Sequence, residues 1–391
     1  MILKEKATPV TLALECGAFF EGAGWGDFTQ PRGGEFVFCT AMSGIEESLT
    51  DPSFCRQILV STVSHVGNTG FTGDDSEADK IWAEGLICRT LESEPSNWRA
   101  LKSLKDWIVG DGRFAVEGID TRLLTVLLRE EGSQRGIVYE TSKMSRVDAQ
   151  KFIKEKVPAM DGLDLTTEVS CKKPYRFEFP KNETCWDIVP KARLQEKKTG
   201  KIAVWDFGVK KNTLRILSAL GMEVDVLPAN SKASDFLDPA KNYDGVLLSN
   251  GPGDPAAATG IISELKGLLG KKPVFAICLG HQLVANAIGA RTFKMKFGHR
   301  GIHHPVVEVD ASGKQVRTWI SSQNHGFAVD AQSLPKGSRV SFFHGDDQSV
   351  EGLSLPELNC ETVQFHPEAG PGPYDSWVLL DRFIDRVRGR S

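Results

Sequence analysis

Cys278 sits in the run Ala276-Ile277-Cys278-Leu279-Gly280-His281-Gln282, between the apolar stretch Val274-Phe275-Ala276-Ile277 and residues that read as a helix. A tight strand-to-helix turn of this kind lifts one side chain clear of a sheet, the layout of a nucleophile elbow. A thiol on the first turn of a helix faces exposed amides and the positive end of the helix dipole, and both favour the thiolate, the reactive form. The amide of Leu279 would then point at an oxyanion developing on an acyl carbon. Taken alone, Cys278 can also be read as a small buried hydrophobe, the commoner fate of a single cysteine.

A thiolate that attacks an amide needs an acid to protonate the departing nitrogen, usually an imidazole oriented by a carboxylate. Thr362-Val363-Gln364-Phe365-His366-Pro367-Glu368 supplies that pair. Its alternation suggests a strand running into His366, and Pro367 ends the pairing so that Glu368 can turn back towards the imidazole. By itself this is also a surface histidine and glutamate at a strand end; beside Cys278 the two motifs reinforce each other. A third run, Ser249-Asn250-Gly251-Pro252-Gly253-Asp254-Pro255, makes a rigid turn with exposed amides, suited to a carboxylate or an oxyanion.

These groups need a scaffold, and the second half of the chain has the rhythm of one. Strand-like runs at 202–205, 224–227, 245–248 and 274–277 alternate with helix-like runs at 212–220, 261–269 and 279–288. Such alternation predicts an α/β fold with a mostly parallel sheet flanked by helices, and ligands at the carboxyl ends of the strands. A further helix is expected over 373–387. The first half is less regular. Strands are expected at 11–20, 35–40, 56–63 and 85–91. One helix is expected after a cap at Ser96-Asn97, with Trp98, Leu101, Leu104 and Ile108 on one face, and another after Asp120-Thr121. The reading is a mixed α+β domain over 1–190, a polar, basic linker at 191–200 and the α/β domain over 201–391.

Composition narrows the function. A chain of 391 residues is large enough for two to three domains, and 47 Lys and Arg against 51 Asp and Glu, with no long block of like charge, argue against a nucleic-acid partner. Eight cysteines without C-x-x-C spacing suggest a reducing, cytoplasmic compartment and no zinc knuckle. The apolar run at 10–14 is too short for a signal peptide. Residues 273–290 carry no Asp, Glu, Lys or Arg, but Gly280, His281, Gln282 and Asn286 make them a buried strand and helix rather than a membrane span. His299, His303 and His304 can be read as a metal cluster; the neighbouring Gly298, Gly301 and Pro305 favour a loop packed beside the active site, and no metal is expected. No G-x-x-x-x-G-K-[ST] occurs, so no ATP site is expected on this chain.

Together the Cys-Leu-Gly-His-Gln run, the Asn-Gly-Pro-Gly-Asp-Pro loop and the His-Pro-Glu ending resemble the class I glutamine amidotransferase family. More narrowly, Asp206-Phe207-Gly208-Val209-Lys210-Lys211-Asn212, Met295-Lys296-Phe297-Gly298-His299, Gln323-Asn324-His325-Gly326-Phe327 and Pro371-Gly372-Pro373 resemble the small subunit of carbamoyl-phosphate synthetase, as do Leu49-Thr50-Asp51-Pro52-Ser53-Phe54 and Gly118-Ile119-Asp120-Thr121-Arg122 in the first half. The resemblance implies a glutaminase with Cys278 as nucleophile through a γ-glutamyl thioester, His366 as general acid and base, and Glu368 as its orienting partner. It implies that L-glutamine is held by Ser53, Gly251, Gly253, Leu279, Gln282, Asn324, Gly326 and Phe327. Ammonia would pass to a large-subunit partner that uses bicarbonate, ATP and Mg to make carbamoyl phosphate for arginine or pyrimidine synthesis. The assembly would be a heterodimer or an oligomer of heterodimers, with the first domain docking the large subunit. The family usually has Gly where this chain has Ala276, so one extra methyl must fit inside the elbow. A different amidotransferase glutaminase, a stand-alone γ-glutamyl hydrolase and a non-enzymatic regulatory subunit are the competing readings.

Overall fold

The computed structural model describes residues 7–179, 189–195 and 197–389. The chain divides into two compact units, Met1–Met160 and Asp161–Ser391.

In the first unit seven strands close a barrel in the order Thr8–Leu14, Phe19–Trp25, Phe114–Glu117, Gly85–Ile87, Gln57–Ser61, Arg32–Cys39 and Gln134–Glu140, the last pairing back onto the first. Alternate side chains on a strand point to opposite faces, and here both faces are apolar. Val10, Leu12, Phe36, Ile58, Ile87, Phe114 and Val138 share one core with Leu124 and Leu128 of the helix Thr121–Glu131. The intervening residues Val37, Leu59, Leu86 and Ala115 pack with Leu104, Trp107 and Ile108 of the helix Leu104–Gly110. The cap expected at Asp120 is present, its carboxylate accepting from the Leu123 amide. The one expected at Ser96-Asn97 is not. The helix begins at Leu104 with Ser103 as its cap, while Trp98 and Leu101 are exposed, so their helical spacing marked no buried face.

In the second unit ten strands form one sheet. Its parallel part runs Met222–Pro228, Gly200–Asp206, Gly245–Leu248, Val274–Ile277 and Cys360–Val363. Ile202, Val204, Leu247, Phe275 and Ile277 face the helices Lys211–Ala219 and Val378–Val387, and Ala203, Trp205, Val246, Leu248 and Ala276 face Thr259–Leu268 and Leu279–Ala287. Strands buried on both sides read as unbroken apolar runs, which is why these were visible in the sequence. The sheet is nevertheless not mostly parallel. Tyr175–Phe177 adds an antiparallel edge, and Val350–Leu355, Gln315–Val329, Thr292–Val309 and Arg339–His344 form an antiparallel wing beyond Cys360–Val363. The expected loop around His299 is part of the strand Thr292–Val309; Gly298 lies within one register shift and Gly301 borders another, while Pro305 is paired with Ile320.

The expected linker also differs. Among its described residues Lys191–Arg193 form a short 3-10 turn, Arg193 bonds to Asp381 and Asp385, and the Gln195 amide donates to Ala219. This stretch is therefore fastened to the second unit, and the division between units falls at Met160 and Asp161 rather than at 190. Among the described residues no helix is long and apolar enough to cross a membrane.

Phe36 is fully buried in the barrel core. Phe36→Ala is expected to destabilise the first unit by about 3–5 kcal/mol, through lost burial and the cavity left behind. Chemical denaturation followed by circular dichroism checks this; a loss under about 1 kcal/mol would show that the barrel interior is not the packed core described.

Candidate active site

Residues 274–277 enter the sheet as a fully buried strand, and Cys278 ends it with φ 51° and ψ −105°. Positive φ in a non-glycine residue is strained. Here it is imposed at both ends: the Cys278 amide donates to the Val363 carbonyl at 2.8 Å, and the Cys278 carbonyl already accepts from Gln282 in the helix that starts at Leu279. As the first residue of that helix, Leu279 has an N–H with no intrahelical acceptor. The turn demands small neighbours. A Cβ on Gly280 would lie 2.7 Å from the Leu248 carbonyl oxygen, and one on Gly251 would lie 2.1 Å from that of Phe207. Ala276 is fully buried among the apolar residues that include Leu248 and Leu279, so the extra methyl is accommodated as core.

The partners come from the neighbouring strand. Ile277 pairs in parallel with Val363, so Cys278 and His366 leave the carboxyl ends of adjacent parallel strands. The His366 amide donates to the Ser322 carbonyl at 3.0 Å, fixing the backbone past the strand end. His366 Nδ1 bonds to Glu368 Oε1 at 2.7 Å. A carboxylate only accepts, so Nδ1 carries the hydrogen and Nε2 keeps its lone pair, the tautomer a general base needs; Nε2 has no protein hydrogen-bond partner.

Glu368 is buried, and burial alone would raise its pKa. Lys210 and His366 outweigh that and hold it below the ordinary carboxylate value. Lys210 Nζ lies 3.4 Å from Glu368 Oε1 and also donates to the Ala369 carbonyl, and the Asn212 side-chain amide donates to the Glu368 carbonyl at 2.7 Å. This buried cation completes the triad's electrostatics. Lys210 and Asn212 appeared in the sequence only as part of a resemblance, with no role. The available signal was a lysine four residues past a buried strand, directly behind Phe207-Gly208-Val209.

Gln364 was also missed. Its Nε2 lies 3.5 Å from Cys278 Sγ, and its Oε1 accepts from Gln282 at 2.9 Å. Gln282 also donates to the Phe327 carbonyl at 2.7 Å, while Cys278 Sγ lies 3.7 Å from the Asn324 carbonyl oxygen. Cys278, Gln364, Gln282, Asn324 and Phe327 are thus joined in one network. Gly251 abuts Leu279, Gly253 forms an antiparallel bridge with Asp164, and Gly326 lies on the strand Gln315–Val329 between His325 and Phe327. Ser53 lies in the first unit, buried in the 3-10 turn Pro52–Phe54, with its amide donating to Asp51.

Residues 203–386 match the family described as glutamine amidotransferase class-I, and residues 12–138 match the carbamoyl-phosphate synthase small chain, CPSase domain. The carbamoyl phosphate synthase small chain of Neisseria gonorrhoeae is 44% identical over 382 residues, covering 97% of this chain and 98% of that one. The small chain of Xanthomonas axonopodis pv. citri is 42% identical over 399 residues, covering 98% and 99%. The chloroplastic small chain of Arabidopsis thaliana is 40% identical over 377 residues, covering 96% and 85%. The chain belongs to the carbamoyl phosphate synthase small chain family. In this family member the class I glutamine amidotransferase match falls within the second unit and the small-chain match within the first.

Removing the Lys210 charge removes an interaction that keeps Glu368 ionised, so its pKa should rise. Lys210→Met is expected to lower kcat for glutamine hydrolysis at least tenfold and to move the acid limb of the pH profile to higher pH. A depressed carboxylate pKa stabilises the fold above its unfolded value, about 4.3 for Glu, and that stabilisation is lost as pH falls through the folded value. The variant should therefore also lose stability at a higher pH on acidification. An unshifted acid limb would contradict the role given to Lys210.

Proposed function

We propose that the chain is the glutaminase subunit of a glutamine-hydrolysing carbamoyl-phosphate synthetase, acting through a covalent Cys278 thioester. The observation that carries the mechanism is the strained elbow at Cys278 with the His366–Glu368 pair leaving the next parallel strand. Cys278 Sγ attacks the side-chain amide carbon of L-glutamine, and the carbonyl electrons move onto oxygen. The Leu279 amide and the Gly251–Gly253 loop stabilise that oxyanion. His366, having taken the thiol proton, gives it to the nitrogen as the C–N bond breaks, and ammonia leaves. Water then gives a proton to His366 and adds to the thioester; glutamate departs, and the proton returns to the Cys278 sulfur.

Gly251, Gly253, Leu279, Gln282, Asn324, Gly326 and Phe327 are the proposed glutamine contacts within the second unit. Gln282 is already committed to Phe327 and Gln364, which supports a role in holding the pocket wall. Ammonia is the product that a synthetase must consume. A large subunit, supplying the ATP and Mg chemistry, is therefore the proposed partner, with the first unit as its docking surface. A cytoplasmic heterodimer, or an oligomer of heterodimers, belongs to the same proposal.

Glutamate release from glutamine by wild type and Cys278→Ser tests the reading. The serine variant should lose activity by more than about 10³-fold, since members of such a triad act as a unit. Comparable turnover in the variant would refute the thioester. A candidate large subunit should co-purify with the chain, and failure to do so would remove the partner while leaving the glutaminase in place.

A further inference from the structure

The antiparallel wing gathers His299, His325 and Glu351 into one buried centre. His299 Nδ1 lies 3.2 Å from His325 Nε2 and 3.7 Å from Glu351 Oε1, and His325 Nε2 lies 3.8 Å from the same oxygen. The outer bonds fix what each atom presents. His325 Nδ1 bonds to the Phe327 carbonyl at 2.7 Å, and His299 Nε2 bonds to Asp347 Oδ2 at 3.0 Å. Carbonyl and carboxylate oxygens only accept, so these nitrogens carry the hydrogens, and each inner nitrogen presents a lone pair to the other whenever its ring holds no second proton. Gln323 Nε2 donates to Glu351 Oε2 at 2.8 Å, leaving the fully buried Oε1 without a hydrogen-bond partner and aimed into the same space.

Three such atoms converging in a buried centre need a cation between them, a proton on His299 or a metal ion that displaces it. From the three separations, a point equidistant from the atoms lies about 2.1 Å from each, the bond length of zinc to imidazole nitrogen or carboxylate oxygen. We propose that His299, His325 and Glu351 form a divalent transition-metal site of the zinc class, outside the glutaminase machinery. Asp347 and the Phe327 carbonyl orient the two imidazoles, the arrangement usual for metal-bound histidine. The neighbouring group of His299, His344 and Asp347 is a poorer candidate. The Asp346 amide donates to His344 Nδ1 at 3.2 Å, so that lone pair is taken, and His344 Nε2 turns to His304 at 3.1 Å.

The site would pin the strand that carries Asn324 to the strand Val350–Leu355, and the Glu351 carbonyl accepts from the Gln364 amide at 2.7 Å. The ion therefore has a structural task, bracing the segments on either side of Cys278. It takes no part in acyl transfer, so the proposal stands or falls separately from the glutaminase reading.

Zinc titration of the full chain by calorimetry tests this. The Cys278→Ser background keeps the nucleophilic thiol from competing as a ligand. We expect one zinc per chain with a Kd on the order of 10 µM or tighter, and a zinc-dependent rise in Tm. Glu351→Gln and His299→Gln should each weaken binding at least tenfold, whereas His65→Gln, an exposed histidine of the first unit, should not. Circular dichroism of both ligand variants identifies any that misfolds, leaving the other to decide. No saturable one-to-one binding to the parent chain, or unchanged affinity in the folded ligand variants, would overturn the proposal and leave a proton as the only occupant of the centre.

Discussion

The backbone of Cys278 is the constraint on which the rest of the active site depends. Its positive φ places the residue at a corner between a buried strand and a helix, and such a corner persists only where its surroundings over-determine it. The surroundings do so through backbone bonds to Val363 and Gln282 and through two neighbours, Gly251 and Gly280, whose missing side chains let carbonyls approach the turn closely. The strain is offset by the stacked apolar layers on the two faces of the parallel strands. The chemistry follows from placement: a thiol at a helix start, a histidine one strand away, and a carboxylate kept ionised in the interior by a buried lysine.

That lysine shows how an interior charge is made tolerable. An isolated buried carboxylate would take up a proton; between Lys210 and His366, Glu368 has a cation on one side and a donor on the other. His281 shows the opposite solution only a turn from the nucleophile. With no charged partner, burial lowers its pKa to about 3, and it remains neutral, bonded to the Thr362 hydroxyl at 2.7 Å. The difference between a catalytic and a structural histidine here is the carboxylate beside it. His299 resembles His366 in that respect. Burial opposes its charge, but Asp347 and Glu351 outweigh the burial and raise its pKa to about 9.

The legibility of the sequence followed the same physics. The strands 202–205, 245–248 and 274–277 and the helix after Cys278 were readable because burial on both faces leaves an apolar run that needs no knowledge of the partner strand. The Cys278 and His366 motifs were readable because turn chemistry is local. Pairings between distant segments were not. The strand Thr292–Val309 is held by Gln315–Val329 across three register shifts, and its glycines and proline look like loop residues until that partner is known. Lys210 gains its meaning from Glu368, far along the chain, and Gln364 gains its meaning from Cys278 and Gln282. The helix expected from Trp98 failed because helical spacing marks a buried face only where something covers it, and Trp98 is 92% exposed.

The claim that Cys278 is the covalent nucleophile is tested most directly by rapid acid quench of the chain turning over glutamine, followed by mass spectrometry of its peptides. A glutamyl group in thioester linkage is expected on the peptide that contains Cys278, appearing before glutamate accumulates and discharged by hydroxylamine. Steady turnover with that peptide unmodified, or with the glutamyl group on another residue, would contradict it.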